Sequence, residues 1–209
     1  FPLPTSLDPA FGAFCEPLAC CIHGTDVAQI QPGSTVLVLG GGVIGLLTVQ
    51  LAKLAGANVM LATRNKAKRD LALRLGATAV IDPAATDITA EIQSLSHGGA
   101  DVVMECAGVP ETVEQAPKLA RPGGRVVIAG VLAQGLKVQY EPFDLLFREI
   151  DIRTSFLNPY THHRAADLIA NGRIEIEPLI SRRASLDEVP EIVANPPGAG
   201  EVKVLAVPG

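Results

Sequence analysis

An α/β fold, a doubly wound six-stranded parallel sheet, is predicted by three observations. Short apolar runs without polar alternation recur along the chain, as strands buried on both faces require. Stretches of helical periodicity separate them, which is the rhythm of βαβ units. The first strand runs straight into Gly40-Gly41-Gly42-Val43-Ile44-Gly45, a glycine turn that opens a helix.

The elements follow in order. Residues Pro9 to Ala28 read as a helix, and the turn Gln31-Pro32-Gly33-Ser34 closes that segment. Val36–Leu39 is the first buried strand. Val43–Leu54 is a helix with Ile44, Leu47, Leu51 and Leu54 on one face. Val59–Ala62 is the second strand. Lys66–Leu75 is a helix closed by Gly76, a position suited to a left-handed cap. Ala79–Ile81, stopped by Asp82-Pro83, is the third strand, and Ile88–Ser96 the next helix. Asp101–Glu105 is the fourth strand, Glu111–Leu119 a helix, and Arg125–Ala129 the fifth strand after the turn Pro122-Gly123-Gly124. Ile150–Ser155 reads as the sixth strand. Beyond it, His162–Asn171 and Leu186–Val193 read as helices. Glu201–Val207 reads as a last strand after the loop Asn195-Pro196-Pro197-Gly198-Ala199-Gly200. The chain divides accordingly into residues 1–34, a leading helix and linker; 35–160, the dinucleotide-binding domain; and 161–209, C-terminal helices and a return strand.

Composition narrows the function. The 209 residues are 48% hydrophobic and 19% charged, enough apolar content for a real core. The net charge of −5, the lack of a long basic run and the absence of Trp exclude a nucleic-acid footprint. The uncharged stretch Val27–Ala52 contains Pro32, Gly33 and three consecutive glycines, so strand–turn–helix accounts for it better than a membrane span. Cys15, Cys20, Cys21 and Cys106 form neither a disulfide framework nor a Cys-x-x-Cys pair, and read as reduced thiols of a cytoplasmic protein. The chain begins at Phe1 rather than Met, which reads as a fragment or a trimmed piece.

The glycine turn reads as a pyrophosphate site. Gly40 permits the tight turn, Gly42 lets the anion approach the backbone, and Gly45 lets helix and strand pack closely. The open N–H groups at Val43 and Ile44 then face the anion. A merely tight turn or a methyl-donor site are the competing readings. The end of the second strand selects the dinucleotide. An NAD enzyme places an acid about twenty residues on. This sequence has Arg64 nineteen residues after Gly45, beside Thr63, with no acid before Asp70. Guanidinium suits a 2′-phosphate, so Thr63, Arg64 and Arg69 are candidates for it. NADP is expected, with NAD the second choice. A solvated surface charge is the competing reading of Arg64.

The segments Glu16-Pro17-Leu18-Ala19, Val36 to Gly45, Gly56-Ala57, Leu75-Gly76-Ala77, Glu105-Cys106-Ala107-Gly108, Gly123-Gly124 and Gly200 to Val204 together resemble the medium-chain dehydrogenase/reductase family, in its zinc-dependent alcohol and polyol dehydrogenase branch. The resemblance covers nearly the whole chain. It implies an oxidoreductase moving a hydride between a secondary alcohol and NAD(P), with zinc polarising the substrate oxygen. It implies that Cys106, Ala107 and Gly108 border the adenosine. Ala129, Gly130 and Val131, Phe156, Leu157 and Asn158, and Cys20 would border the nicotinamide. Glu16 stands where the branch keeps a carboxylate at or near the catalytic zinc. Cys20 and His23 fall at helical spacing from it, although an apolar helix more often carries such residues as core. The resemblance also implies a dimer or tetramer through the sixth strand, and a final strand that returns to an N-terminal GroES-like catalytic domain. No Gly-His-Glu segment of that domain occurs in this sequence. The reading is therefore a cofactor half, inactive by itself, with the substrate unread. The rivals are a zinc-free quinone or enoyl reductase of the same superfamily, against which Glu16-Pro17 argues, and a non-catalytic nucleotide-binding remnant. The Tyr-x-x-x-Lys pair of a short-chain dehydrogenase is absent.

Overall fold

A computed structural model describes residues 2–195, 198 and 200–208. Pro196, Pro197 and Ala199 of the loop expected before the last strand lie outside the described residues. Six parallel strands form one sheet in the order β3-β2-β1-β4-β5-β6. They are β1 (Thr35–Leu39), β2 (Asn58–Ala62), β3 (Ala79–Ile81), β4 (Ala100–Glu105), β5 (Ala120–Ile128) and β6 (Asp151–Thr154). The order reverses between β1 and β4, which opens a crevice at their carboxyl ends.

The helices cover both faces. They are α1 (Cys15–Ala28), α2 (Val43–Leu54), α3 (Lys66–Arg74), α4 (Ile88–Leu95), α5 (Pro110–Leu119), α6 (Pro142–Phe147), α7 (His162–Ala170) and α8 (Val189–Ala194). Strand residues alternate between two cores, as side chains of period two must. Val36, Val38, Val59, Leu61 and Met104 pack under α1, α2 and α7 with Leu18, Leu47 and Ile169. Leu37, Leu39, Met60 and Val103 pack on the opposite side with Ile92, Ala116 and Leu119. The leading helix is tied to the sheet by Arg125, which donates to the Ala28 carbonyl and the Gln29 side chain at 2.9 Å each and to Asp151 at 2.7 Å. Glu16 and Cys20 are therefore held against the strand ends by a helix anchored at its far end.

The structure departs from the sequence expectations at several elements. The leading helix opens with a 3-10 segment, Pro9–Phe14, so α-helix begins at Cys15. Pro122-Gly123-Gly124 is not a turn ahead of strand five. It lies within β5, where the register against β4 shifts between Ala100 and Val102. Helix α6 was not anticipated. The segment Leu186–Val193 splits into a 3-10 turn, Leu186–Glu188, and α8. The last strand, β8 (Lys203–Ala206), pairs in parallel with β7 (Ile180–Ala184) in a small sheet of the chain's own. No helix among the described residues is long and apolar enough to cross a membrane.

Candidate cofactor crevice

The glycine turn has the geometry its residues require. Gly40 adopts φ +108°, and a Cβ there would sit 3.0 Å from the Ala107 nitrogen across the β1–β4 switch point. A Cβ on Gly45 would collide with the Gly40 carbonyl oxygen, which is why helix and turn can be this close. Gly42 is the N-cap of α2, with no side chain capping it, and a Cβ there would meet nothing within 4 Å. No side chain caps the first N–H groups of α2, at Val43 and Ile44, which lie at the positive end of the helix dipole. That is a built place for an anion.

On one side of this turn stands the end of β2. Thr63 is half-buried and Arg64 exposed. Arg64 makes no ion pair or side-chain hydrogen bond among the described residues, so its guanidinium is available to a ligand. Arg69 is placed differently. It donates to the Thr63 carbonyl at 2.6 Å and pairs with Asp82 at 2.9 Å, with 15% of its side chain exposed. Its visible work is to hold the β2 turn in shape. Lys68, absent from the sequence reading, lies closer: its Cβ would be 3.1 Å from a Cβ on Gly41. Its position four residues after Arg64 was the signal that could have found it.

On the other side, the ends of β5 and β6 meet α1. A cavity of about 240 Å³ is bounded by Glu16, Cys20, Ile44, Thr48, Met104, Ala129, Val131, Ser155, Phe156 and Leu157. The structure thus brings Cys20, Ala129, Val131, Phe156 and Leu157 together with Glu16 around one apolar recess beside the glycine turn. Asn158 joins through hydrogen bonds: its amide donates to Glu16 Oε1 at 3.3 Å and approaches the Cys20 sulfur at 3.7 Å. The Cys20 thiol donates to the same carboxylate oxygen at 3.2 Å. Burial, and then the Glu16 charge, push the Cys20 thiol up to about 11. Burial likewise pushes Cys106 up to about 12, with the neighbouring Glu105 charge adding to it. Both are neutral at physiological pH and act as packing groups rather than nucleophiles. Thr63 and Arg64 do not line this recess; they stand beyond the turn, where the far end of an extended ligand would lie. Cys106, Ala107 and Gly108 lie between, at the end of β4, with Glu105 buried beneath them. The sequence places Glu105 at the end of a strand and in the segment Glu105-Cys106-Ala107-Gly108 that carries the resemblance, without a role for its side chain.

Catalytic zinc needs three protein ligands and an open position. No group of three His, Cys, Asp or Glu side chains that could hold a metal occurs among the described residues. Glu16, Cys20 and His23 do not make such a site, and the described residues do not fit a zinc by themselves.

With this geometry in view, comparison with known proteins defines the class. Residues 43–171 match the zinc-binding dehydrogenase family model, more than half of the chain, so the chain belongs to that family. A protein of Sinorhizobium meliloti 1021 classed as a zinc-binding dehydrogenase, solved bound to NADP, is 59% identical with a TM-score of 0.95, and the match covers 100% of this chain and 62% of that one. The sorbitol dehydrogenase of Bacillus subtilis (strain 168) is 32% identical over 190 residues, 90% of this chain and 54% of that protein. A zinc-type alcohol dehydrogenase-like protein of Escherichia coli (strain K12) is 33% identical over 183 residues, 87% of this chain and 52% of that protein. The chain spans about half the length of the curated relatives it matches.

Proposed function

We propose that this chain is the cofactor-holding portion of a zinc-type alcohol or polyol dehydrogenase that uses NADP(H). The observation that carries the reading is the uncapped start of α2 behind Gly40–Gly45, flanked by an exposed Arg64 where an NAD enzyme keeps an acid. The N–H groups at Val43 and Ile44 bind the pyrophosphate. Thr63 and Arg64, with Lys68 close by, meet the 2′-phosphate. Ala107 and Gly108 border the adenosine. The recess of Cys20, Ala129, Val131, Phe156 and Leu157 takes the nicotinamide and keeps water from its reacting face. When bound, the nicotinamide supplies hydride acceptance and return. The NADP-bound Sinorhizobium relative supports the choice of cofactor.

Glu16 presents an exposed carboxylate at the rim of the recess, oriented by Asn158. It is the one residue of this chain assigned to the surroundings of a zinc in a longer protein; no step is derived through that metal. Phe143, Leu146 and Phe147 on α6 are exposed, and β6 is an open edge strand of the sheet. That edge supports self-association through the sixth strand, as a dimer or tetramer. Four free cysteines fit a reducing, cytoplasmic setting.

The assignment of Arg64 is tested by Arg64→Asp. Loss of a charge-assisted phosphate contact worth about 1.5–3 kcal/mol is expected to weaken NADPH about 10- to 100-fold. NADH affinity should be unchanged or improved. An unchanged NADPH affinity would refute the 2′-phosphate assignment.

A further inference from the structure

We infer that Glu105 is a positioning residue of the cofactor crevice: one buried side chain and its own carbonyl clamp together the two turns that border the two halves of the dinucleotide. The inference rests on the cofactor reading above and adds to it a residue that touches no ligand.

Glu105 ends β4 and is completely buried. Its Oε1 accepts three hydrogen bonds, from the Ala107 N–H at 2.8 Å, the Gly108 N–H at 2.9 Å and the Thr112 hydroxyl at 2.8 Å. Its backbone carbonyl accepts two more, from the Ala129 and Gly130 N–H groups at 2.9 Å each. The turn after β4 and the turn after β5 thus hang from a single residue. Between them the backbones touch. A Cβ on Gly108 would be 2.8 Å from the Val131 carbonyl oxygen, and one on Gly130 would collide with the Gly108 nitrogen and sit 2.5 Å from Glu105 Oε2.

The second carboxylate oxygen has the independent story. Oε2 is buried and has no hydrogen-bond partner among the described residues. A buried carboxylate with an unpartnered oxygen destabilises a fold. An apolar side chain would fill the same volume without that cost, but it would leave the Ala107 and Gly108 N–H groups and the Thr112 hydroxyl without their shared acceptor. The position therefore favours turn geometry over stability, and the geometry at stake is the close backbone contact of the two turns at Gly108 and Gly130 that border the crevice.

The test uses the chain itself. Wild type, Glu105→Gln, Glu105→Ala and Thr112→Val are each checked by circular dichroism and thermal melting, then titrated with NADPH by fluorescence. Glu105→Ala is expected to weaken NADPH about tenfold or more, the loss that follows when several hydrogen bonds holding the site go. Glu105→Gln keeps an acceptor at Oε1 and should recover most of that loss, to within about fivefold of wild type. Thr112→Val removes one of the three donors and should cost about two- to fivefold, with its melting temperature within about 2 °C of wild type. A folded Glu105→Ala that binds within about twofold of wild type overturns the inference. So does a Glu105→Gln as weak as the alanine variant, because charge rather than the clamp would then matter. Should Glu105→Ala fail to fold, Thr112→Val decides: unchanged affinity overturns the inference, and a selective loss supports it. A wild-type chain that does not bind NADPH overturns the cofactor reading and this inference with it, whereas loss confined to the variants separates the two.

Discussion

The two ends of the crevice are built to different degrees. At the glycine turn, backbone groups from the ends of two strands and the start of a helix converge: Gly40 against Ala107, Gly45 against Gly40, Cys106 N–H to the Leu39 carbonyl at 2.9 Å, and the uncapped start of α2. At the Glu16 end, three side chains, Glu16, Cys20 and Asn158, bond to one another and no metal-holding set is completed among the described residues. The contrast is what the proposed function rests on: a backbone-built anion turn at one end and an incomplete side-chain cluster at the other. It also explains why α1 is so firmly rooted: Phe14, Leu18 and Ile22 are fully buried, so the exposed Glu16 is presented from a rigid support.

The contrast can be broken first at the turn. Gly45→Val drives a branched side chain into the Gly40 carbonyl oxygen and should cost at least about 1–3 kcal/mol of stability. NADPH binding should vanish at any concentration where wild type saturates; a variant of native melting temperature and affinity would show the turn to be looser than it looks. The support beneath Glu16 gives the next largest effect. Leu18→Ala empties a site with no solvent exposure and should cost about 2–5 kcal/mol in urea unfolding. A loss under about 1 kcal/mol would mean that α1 is not part of the common core. The smallest effect sharpens the incomplete end. The Cys20 thiol, pushed up to about 11, stays protonated through neutral pH and should gain alkylation rate only as pH rises toward that value. Half-maximal rate near the ordinary thiol range would remove burial and the Glu16 charge as its controlling neighbours.

How much was legible in the sequence follows the same division between local and distant causes. Helix α2 and strand β3 were read to the residue, because an amphipathic face and an Asp-Pro stop are local signals. Helix α6 was invisible: it is six residues long and leaves Phe143, Leu146 and Phe147 exposed, so no buried face marks it. Strand β7 carries Arg182 and Arg183 and exists through its pairing with β8, some twenty residues on. In the site, the conformation of the glycine turn and the exposed place of Arg64 were legible because both follow from residue type and spacing. The different place of Arg69 was not, because it depends on Asp82 across the next strand. Glu105 was not, because a glutamate at a strand end gives no sign that its side chain folds back under the following turn.

The most direct measurement is a calorimetric titration of the wild-type chain with NADPH and with NADH at low ionic strength. A complete cofactor site with Arg64 at its adenosine end should bind NADPH about tenfold or more tightly than NADH, one charge-assisted contact being worth that factor. Equal affinities, tighter NADH, or no binding of either would contradict it.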